Sequence, residues 1–391
     1  MDEANRSGRW SGGLILVAVV ALPLAGARIA QRPTGRLFEF PPRPGIPSDY
    51  PRFSWIACGL VAGGLAALAA SWIWAGARRR GASDRETGGQ ERNLPARAFP
   101  RWGWIALVWT IGWWVLAWTR FPWFAALQRL TFFPLWLGFI AIVNALAWRR
   151  AGTCFMLAAP RRWFALFVAS AGFWWVFEWL NRFVRNWHYV GVEDFGAAAY
   201  AVDATVCFSI VLPAVFAVRE WLGTFRTLDA RLSSGPSWSW LARRGTATAL
   251  VGLGALALAL TGVWPDWFYP AVWAAPLALG LGAGILTRRP GIAGEVAKGD
   301  WRRAGAWTLA ALVCGFFWEM WNVRSAAKWI YTVPYADRWH VFEMPLPGYA
   351  GYLPFGLECA LVVEWMFGSR AVNSKPFDSN PEAGPSPGRP N

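Results

Sequence analysis

The sequence predicts an all-α, polytopic integral membrane protein with about ten transmembrane helices, in which two tandem four-helix repeats follow an N-terminal two-helix unit. Three observations support this fold class. The 391 residues are 55% hydrophobic and only 16% charged, whereas an average soluble domain has roughly 25% charged residues. Long apolar segments alternate with short basic ones. One polar motif occurs twice, each time near the end of an apolar segment.

The apolar segments have the length of membrane-spanning helices, which need roughly 20 residues to cross a bilayer core. They are apolar on all sides, whereas the helices of a soluble core carry one apolar stripe. The alternating segments of a membrane β-barrel are absent from the sequence. Ten spans are therefore predicted, at residues 11–27, 54–77, 102–118, 132–148, 163–184, 197–218, 245–264, 268–287, 304–323 and 347–367.

The spans group into units separated by polar segments. The predicted units are an N-terminal two-helix unit with a Pro-rich outer loop (1–77), a charged cytoplasmic linker (78–101), repeat A (102–218), a second cytoplasmic linker (219–244), repeat B (245–367) and a disordered tail (368–391). The second helix of each repeat begins with an aromatic-Pro pair and ends in a double arginine. Four is an even number of helices, so both repeats enter from the same side and a pseudo-twofold axis along the membrane normal is expected.

The formal net charge of +15 suggests either nucleic-acid binding or the positive-inside rule of membrane proteins. The predicted inner segments hold 26 of the 38 Lys and Arg residues. This bias favours a plasma (inner) membrane protein with both termini in the cytoplasm, the lipid bilayer as partner and no nucleic acid.

Leu14–Leu22 followed by Ala25-Gly26-Ala27 also has the pattern of a cleaved signal peptide. An uncleaved first helix is preferred because it fits the later charge pattern.

The five cysteines lack a Cys-x-x-Cys spacing, so free buried thiols are expected rather than a zinc or redox site. No Rossmann glycine motif, P-loop or Ser-His-Asp order is visible. We therefore predict no cofactor and no metal. Most of the 31 Trp residues are expected at the membrane interface or in packing contacts, because an indole ring is apolar and its N–H needs a partner.

The duplicated motif consists of an aromatic residue, Glu-x-x-Asn and then Trp-x-Tyr. The first copy contains Glu178, Asn181, Trp187 and Tyr189, and the second contains Glu319, Asn322, Trp329 and Tyr331. A charged acid at the centre of a spanning helix costs on the order of 2.5–3.5 kcal/mol. The acids are therefore expected to face the bundle interior, in a shared cavity toward the outer leaflet with the Trp and Tyr side chains near its rim.

A second acid occurs in the fourth helix of each repeat, Asp203 and Glu358, three residues after an aromatic residue. The only histidines, His188 and His340, follow Trp187 and Trp339 in outer loops. With the loop carboxylates they offer ligand types for a metal, but no compact ligand spacing is present and a structural role is favoured. The aromatic, Gly- and Pro-rich loop at 328–352 is interpreted as an interfacial loop or as a lid over the acids.

The Trp-x-Tyr motif, the acidic element Val192-Glu193-Asp194-Phe195 and the tandem membrane repeat together resemble the lycopene-cyclase-type domains of carotenoid synthesis. In that family a Pro-x-Glu-Glu-like element precedes a hydrophobic helix. Repeat B departs from it, with Phe342-Glu343-Met344-Pro345 at this place. The resemblance implies acid chemistry on an isoprenoid.

The leading functional interpretation is a membrane-embedded enzyme that uses carboxylates for acid/base chemistry on a lipid or isoprenoid substrate near the outer leaflet. The alternatives are a proton-coupled transporter and a structural or assembly protein in which polar pairs only lock helices together. The oligomeric state is left open. The predicted catalytic residues are Glu178, Glu319, Asn181, Asn322, Asp203 and Glu358. The predicted substrate-binding residues are Trp187, His188, Tyr189, Trp329, Tyr331 and His340.

Overall fold

The computed structural model describes residues 3–42, 49–80 and 97–368. The predicted disordered tail from residue 369, most of the 78–101 linker and the centre of the Pro-rich loop lie outside the described residues. The chain is mostly helical. Its helices are α1 Glu3–Ile29, α2 Trp55–Arg80, α3 Arg101–Trp118, α4 Phe132–Ala151, α5 Phe155–Ala158, α6 Pro160–Val184, α7 Ala197–Phe208, α8 Val211–Leu222, α9 Arg226–Leu232, α10 Arg244–Val263, α11 Pro265–Phe268, α12 Ala271–Leu286, α13 Gly291–Ala297, α14 Arg302–Asn322 and α15 Tyr352–Phe367.

Four short strands and four 3-10 turns complete the described structure, so the all-α prediction missed a small β component. The strands are β1 Trp187–Val190, β2 Lys328–Tyr331, β3 His340–Val341 and β4 Met344–Pro345. They form two antiparallel ribbons, β1 with β2 and β3 with β4. The 3-10 turns are Gly35–Phe38, Pro122–Leu130, Ser239–Ala242 and Leu346–Gly351.

Seven stretches of helix within the described residues are long and apolar enough to cross a membrane. An eighth is formed if α12 and α13, which meet at an 80° bend, count as one span. These findings confirm a helical chain with several candidate spans, but not the count of ten. Two predicted spans, 102–118 and 304–323, are not among these eight. They lie on α3 and α14, which are rich in tryptophan. Tryptophan is amphipathic and lowers the apolarity of a segment without preventing helix formation.

One predicted span, 197–218, is divided into α7 and α8. Pro213 has no backbone N–H and its ring opposes the carbonyl four residues earlier, which interrupts the helix. The hydroxyl of Ser170 on α6 lies in the gap: it donates to Phe208 O at 2.6 Å and accepts from Leu212 N at 3.0 Å. A polar side chain of a neighbouring helix thus satisfies backbone groups that the break leaves unpaired.

Helices α1 and α10 cross through small residues. A Cβ placed on Gly26 would lie 1.9 Å from Ala259 O, and one on Gly262 would lie 1.9 Å from Pro23 O. Close backbone approach through glycine is the usual way in which membrane helices pack tightly. The crossing fixes α1 against the body of the protein, whereas the described residues of α2 include none that is buried.

The core lies where residues 102–218 and 245–367 meet. Trp136 of α4 packs on Trp318 of α14 with ring centroids 5.2 Å apart. Phe177 of α6 stacks on Trp273 of α12 at 4.9 Å. Each half therefore contributes an aromatic residue from its second long helix to the motif-bearing helix of the other half. This aromatic seam leads to the ends of α6 and α14, where the duplicated motifs lie.

Candidate functional site

The two Trp-x-Tyr segments pair with each other. Strand β1 follows α6 and strand β2 follows α14, and in their antiparallel ribbon Trp187 lies opposite Tyr331 and Tyr189 lies opposite Trp329. Alternate residues of a strand point to the same face. All four aromatic side chains therefore point to one face of the ribbon. The two copies of the Trp-x-Tyr motif pair with each other, so that the Trp of each copy lies opposite the Tyr of the other copy.

The two motif asparagines hold these strands by their backbone. Asn181 Nδ2 donates to Trp187 O at 2.8 Å, and its Oδ1 accepts from Asn186 N at 2.8 Å. Asn322 does the same for β2: Nδ2 donates to Trp329 O at 2.7 Å and Oδ1 accepts from Trp329 N at 2.9 Å. Neither side chain hydrogen-bonds its neighbouring glutamate. The two asparagines, predicted as catalytic residues, therefore act on the acids only indirectly, through the Trp-x-Tyr strands.

Glu178 is buried and accepts three hydrogen bonds on one oxygen. The donors to Oε1 are Trp187 Nε1 at 2.9 Å, Tyr189 OH at 2.8 Å and Trp174 Nε1 at 3.1 Å. The last donor was missed from the sequence, although Trp174 precedes Glu178 by four residues and therefore shares its helix face. The other oxygen, Oε2, accepts no hydrogen bond from the described residues.

Glu319 occupies the matching place in the second half and is fully buried. Its Oε1 accepts from Tyr331 OH at 2.7 Å and from Tyr352 OH at 3.0 Å. Trp329 Nε1 donates to the Tyr331 hydroxyl at 2.8 Å, so the indole supports the acid through the phenol. Oε2 has no hydrogen-bond partner among the described residues. In both halves one carboxylate oxygen collects the donors and the other remains unengaged.

The phenols of the ribbon are firm hydrogen-bond donors. Burial, reinforced by the neighbouring Glu178 carboxylate, raises the pKa of Tyr189 well above its usual value near 10. Burial and Glu319 likewise raise the pKa of Tyr331. Both hydroxyls therefore keep their protons across the physiological range and can donate to a carboxylate or to a bound molecule.

A cavity of about 360 Å³ lies beside this ribbon, between the two halves. Its wall is mainly aromatic and apolar, with α2 contributing Ala57, Cys58 and Val61 from one side. The aromatic lining includes Trp174, Trp187, Tyr189, Tyr200, Trp273, Trp318, Trp329, Tyr331, Tyr352 and Phe355. The predicted aromatic site residues thus share one cavity. Glu178 and Glu319 lie behind their Trp and Tyr donors and are not part of the described wall.

Three charged side chains reach the wall: Asp203 from α7, Arg129 and Lys328. The carboxylate of Asp203 accepts no hydrogen bond from the described residues. Arg129 Nη2 bonds Asp194 Oδ2 at 2.9 Å and Lys328 Nζ bonds Glu343 Oε1 at 2.5 Å. Arg129 and Lys328 were not predicted as site residues. Asp194 belongs to the acidic element at 192–195 that carries the family resemblance, and Glu343 belongs to the segment at 342–345 that departs from it.

His188 points away from the cavity, on the opposite face of β1. Thr332 Oγ1 donates its proton to Arg185 O at 2.6 Å, so the 2.9 Å contact with His188 requires a proton on the histidine Nε2. Burial lowers the pKa of His188 to about 4, and the ring is neutral at physiological pH. The geometry assigns it to holding the ribbon rather than to the predicted substrate contact.

His340 and Glu358 also lie away from the cavity wall. His340 is partly exposed and pairs with Asp337 at 2.9 Å. Glu358 is buried in α15, and neither of its carboxylate oxygens has a hydrogen-bond partner among the described residues. The predicted substrate contact of His340 and the predicted grouping of Glu358 with the other acids are therefore not what the structure shows. The described residues contain no group of three or more His, Cys, Asp or Glu arranged to hold a metal ion.

Comparisons with models of known families, with curated proteins and with solved structures find no match to this chain.

Proposed function

We propose that this protein is a multi-pass membrane enzyme that performs acid/base chemistry on a lipid or isoprenoid substrate in the aromatic cavity. One observation carries the proposal: of the acids in the described structure, Asp203 alone reaches the cavity wall, and it does so among apolar and aromatic side chains. A structural helix-to-helix contact would pair this carboxylate, whereas it accepts no hydrogen bond from the described residues.

The reaction that suits this wall is proton transfer to a carbon–carbon double bond. The Asp203 carboxyl releases its proton, the π electrons of the substrate form the new C–H bond, and the neighbouring carbon becomes cationic. Loss of a proton from an adjacent carbon, back to the carboxylate, forms a shifted double bond and restores the acid. Ring closure before that loss gives a cyclic product. Neither outcome consumes a co-reactant.

The aromatic wall supports such a cation. Faces of Trp and Tyr attract positive charge by about 0.5–2 kcal/mol each, with the larger values where water is excluded. In this proposal Glu178 and Glu319 are positioning residues, because their Oε1 atoms fix the indole and phenol groups of the ribbon. The Tyr189 and Tyr331 hydroxyls lie between these acids and the cavity, and each donates its proton to Oε1 of the neighbouring glutamate.

We also propose that residues 102–218 and 245–367 are tandem repeats related by a pseudo-twofold axis along the membrane normal. The reciprocal β1–β2 register and the equivalent bonds of Asn181 and Asn322 support this arrangement. Ten spans, cytoplasmic termini and a location in the inner membrane complete the proposal. They are supported by the distribution of Lys and Arg and by helices at all ten predicted positions.

A second function, proton-coupled transport, is favoured by the break between α12 and α13. Discontinuous helices and acids near repeat interfaces are typical of secondary transporters. Next to this break the buried Arg303 bridges Glu295 at 3.0 Å and Glu364 at 3.2 Å. A buried group of ion pairs can stabilise one of two alternative packings of the same helices. This group, however, is not part of the wall of the aromatic cavity.

The enzyme proposal is tested by comparing lipid extracts of cells that express the wild-type chain, Asp203→Asn or the control Asp266→Asn. Asn keeps the shape of the side chain but cannot release a proton, and Asp266 is an exposed acid outside the cavity wall. We expect a lipid product that is present with the wild type and the control and absent with Asp203→Asn at equal protein level. A product unchanged by Asp203→Asn contradicts acid catalysis by this residue, and the absence of any product in the wild type favours transport or a structural role.

A further inference from the structure

We infer that the cavity takes an amphiphile with an anionic phosphate-type headgroup, held between Arg129 and Lys328 while its apolar chain lies along the aromatic wall. That the apolar chain of this ligand is an isoprenoid rests on the proposed function. The headgroup part rests on the two cations alone.

The two cations lie at the same end of the β1–β2 ribbon. Lys328 pairs with Val190 at the last position of the ribbon. Phe132, three residues after Arg129, contacts the ring of Trp329, the residue after Lys328, at 5.7 Å. Arg129 also lies over the ring of Phe195, just beyond β1, at 5.4 Å. Both positive side chains therefore meet the cavity at one end.

Both cations have capacity beyond their present partners. Arg129 bonds Asp194 through one nitrogen only, and a guanidinium carries five N–H donors. Asp194 is 81% exposed, and exposed ion pairs contribute little to stability. Lys328 bonds Glu343 and, weakly, Val323 O at 3.4 Å, which leaves one of its three donors. A phosphate can therefore join or replace these contacts, and Arg and Lys are the residues suited to it.

The remainder of the wall distinguishes an amphiphile from a free anion. Apolar and aromatic side chains form most of the lining. An uncharged lipid would leave the remaining donors of both cations without an acceptor, and a free phosphate would leave the aromatic surface uncovered. Asp203 lies six residues into α7 from Ala197, about 9 Å along the helix at 1.5 Å per residue. In this arrangement the reacting part of the lipid chain lies at Asp203 and the headgroup lies at Arg129 and Lys328.

The test measures binding to the purified full-length protein in phosphatidylcholine nanodiscs. The probes are a radiolabelled C20 prenyl diphosphate, the corresponding prenyl alcohol and inorganic diphosphate. We expect the prenyl diphosphate to bind at least tenfold more tightly than either of the other probes. The double variant Arg129→Gln, Lys328→Gln should bind the diphosphate as weakly as the alcohol, with alcohol binding unchanged. The conservative Arg129→Lys should retain part of the preference, and Arg36→Gln, at an exposed position outside the cavity wall, should retain all of it.

Equal binding of alcohol and diphosphate, or an unchanged preference in the double variant, overturns the headgroup site. Inorganic diphosphate binding as tightly as the prenyl diphosphate overturns the amphiphile and leaves a free-anion site. Each single variant is measured as well, so the test does not depend on folding of the double variant. Because the readout is binding, a protein that binds the prenyl diphosphate but turns nothing over contradicts the proposed enzyme and leaves this inference intact.

Discussion

At the scale of single residues, the site depends on polar side chains that satisfy backbone and aromatic groups inside an apolar environment. Asn181 and Asn322 each bond backbone groups of the Trp-x-Tyr strand that follows their helix. Their spacing from the glutamates was visible in the sequence, but their true partners were not. The spacing of Glu-x-x-Asn places both polar side chains on one face of the helix. The groups that this face contacts depend on the path of the chain after the helix, which the spacing does not show.

Replacement of either asparagine by alanine should destabilise the protein to a similar extent. Each variant leaves buried backbone groups of the ribbon without a partner, which costs about 1–3 kcal/mol per group. The thermal unfolding midpoint of the detergent-solubilised protein measures the loss. Loss for one asparagine only would contradict the equivalence of the two motifs.

The buried His188 predicts a pH dependence of stability. Its pKa is about 4 in the folded protein, below the ordinary value near 6.5, so the unfolded chain binds more protons between these two pH values. The free energy of unfolding should therefore fall as the pH is lowered from 6.5 to 4, and the contribution of His188 to this slope should fade as the pH rises above 6.5. His188→Gln should flatten the slope relative to the wild type. Equal slopes in the wild type and His188→Gln would rule out a buried neutral ring.

At the scale of elements, the lengths of the apolar segments were sufficient to predict where the long helices lie. They were not sufficient to predict where a helix is interrupted. The 197–218 span was predicted as one helix because its composition is uniformly apolar, yet Pro213 and the Ser170 hydroxyl divide it. The ribbon β1–β2 was also missed. Each of its strands has four residues, too few for a period-two pattern to be recognised, and its pairing joins segments that are far apart in the sequence.

The α1–α10 crossing gives an element-scale prediction. Gly26→Leu or Gly262→Leu should destabilise the protein by about 1–3 kcal/mol or more, because the side chain must displace the opposite backbone. Gly63→Leu on α2 is the matched control, since a Cβ there meets nothing within 4 Å. Thermal unfolding in detergent distinguishes them. If leucine at position 26 or 262 lowers the unfolding temperature no more than leucine at position 63 does, then α1 is not packed on α10 in the membrane.

At the scale of the whole molecule, composition was sufficient to predict a helical membrane protein, and the duplicated motif pointed to the region of the cavity. The cavity wall was only partly predictable. Its Trp-x-Tyr residues were marked by repetition, whereas Arg129, Lys328 and the α2 contribution carry no local signal. They reach the cavity through tertiary packing between segments that are far apart in the sequence.

The proposed topology predicts where an added cysteine reacts. In a variant without the five native cysteines, a cysteine at position 194, where the Asp194 side chain is exposed, should react with an impermeant maleimide from the outer side of intact cells. A cysteine at position 85 should react only after the membrane is opened. The reverse labelling pattern would invert the topology, and labelling of both positions from one side would contradict the span count between them.

The most direct test of the central claim is deuterium transfer to the substrate in D₂O. Purified protein in nanodiscs is incubated with the lipid identified by comparison of cell extracts, and the product is examined by mass spectrometry. The account predicts one carbon-bound deuteron in the product of the wild type and of the Asp266→Asn control, and no product with Asp203→Asn. A product formed without deuterium, or formed equally by Asp203→Asn, would contradict protonation of the substrate by a carboxyl of the aromatic cavity.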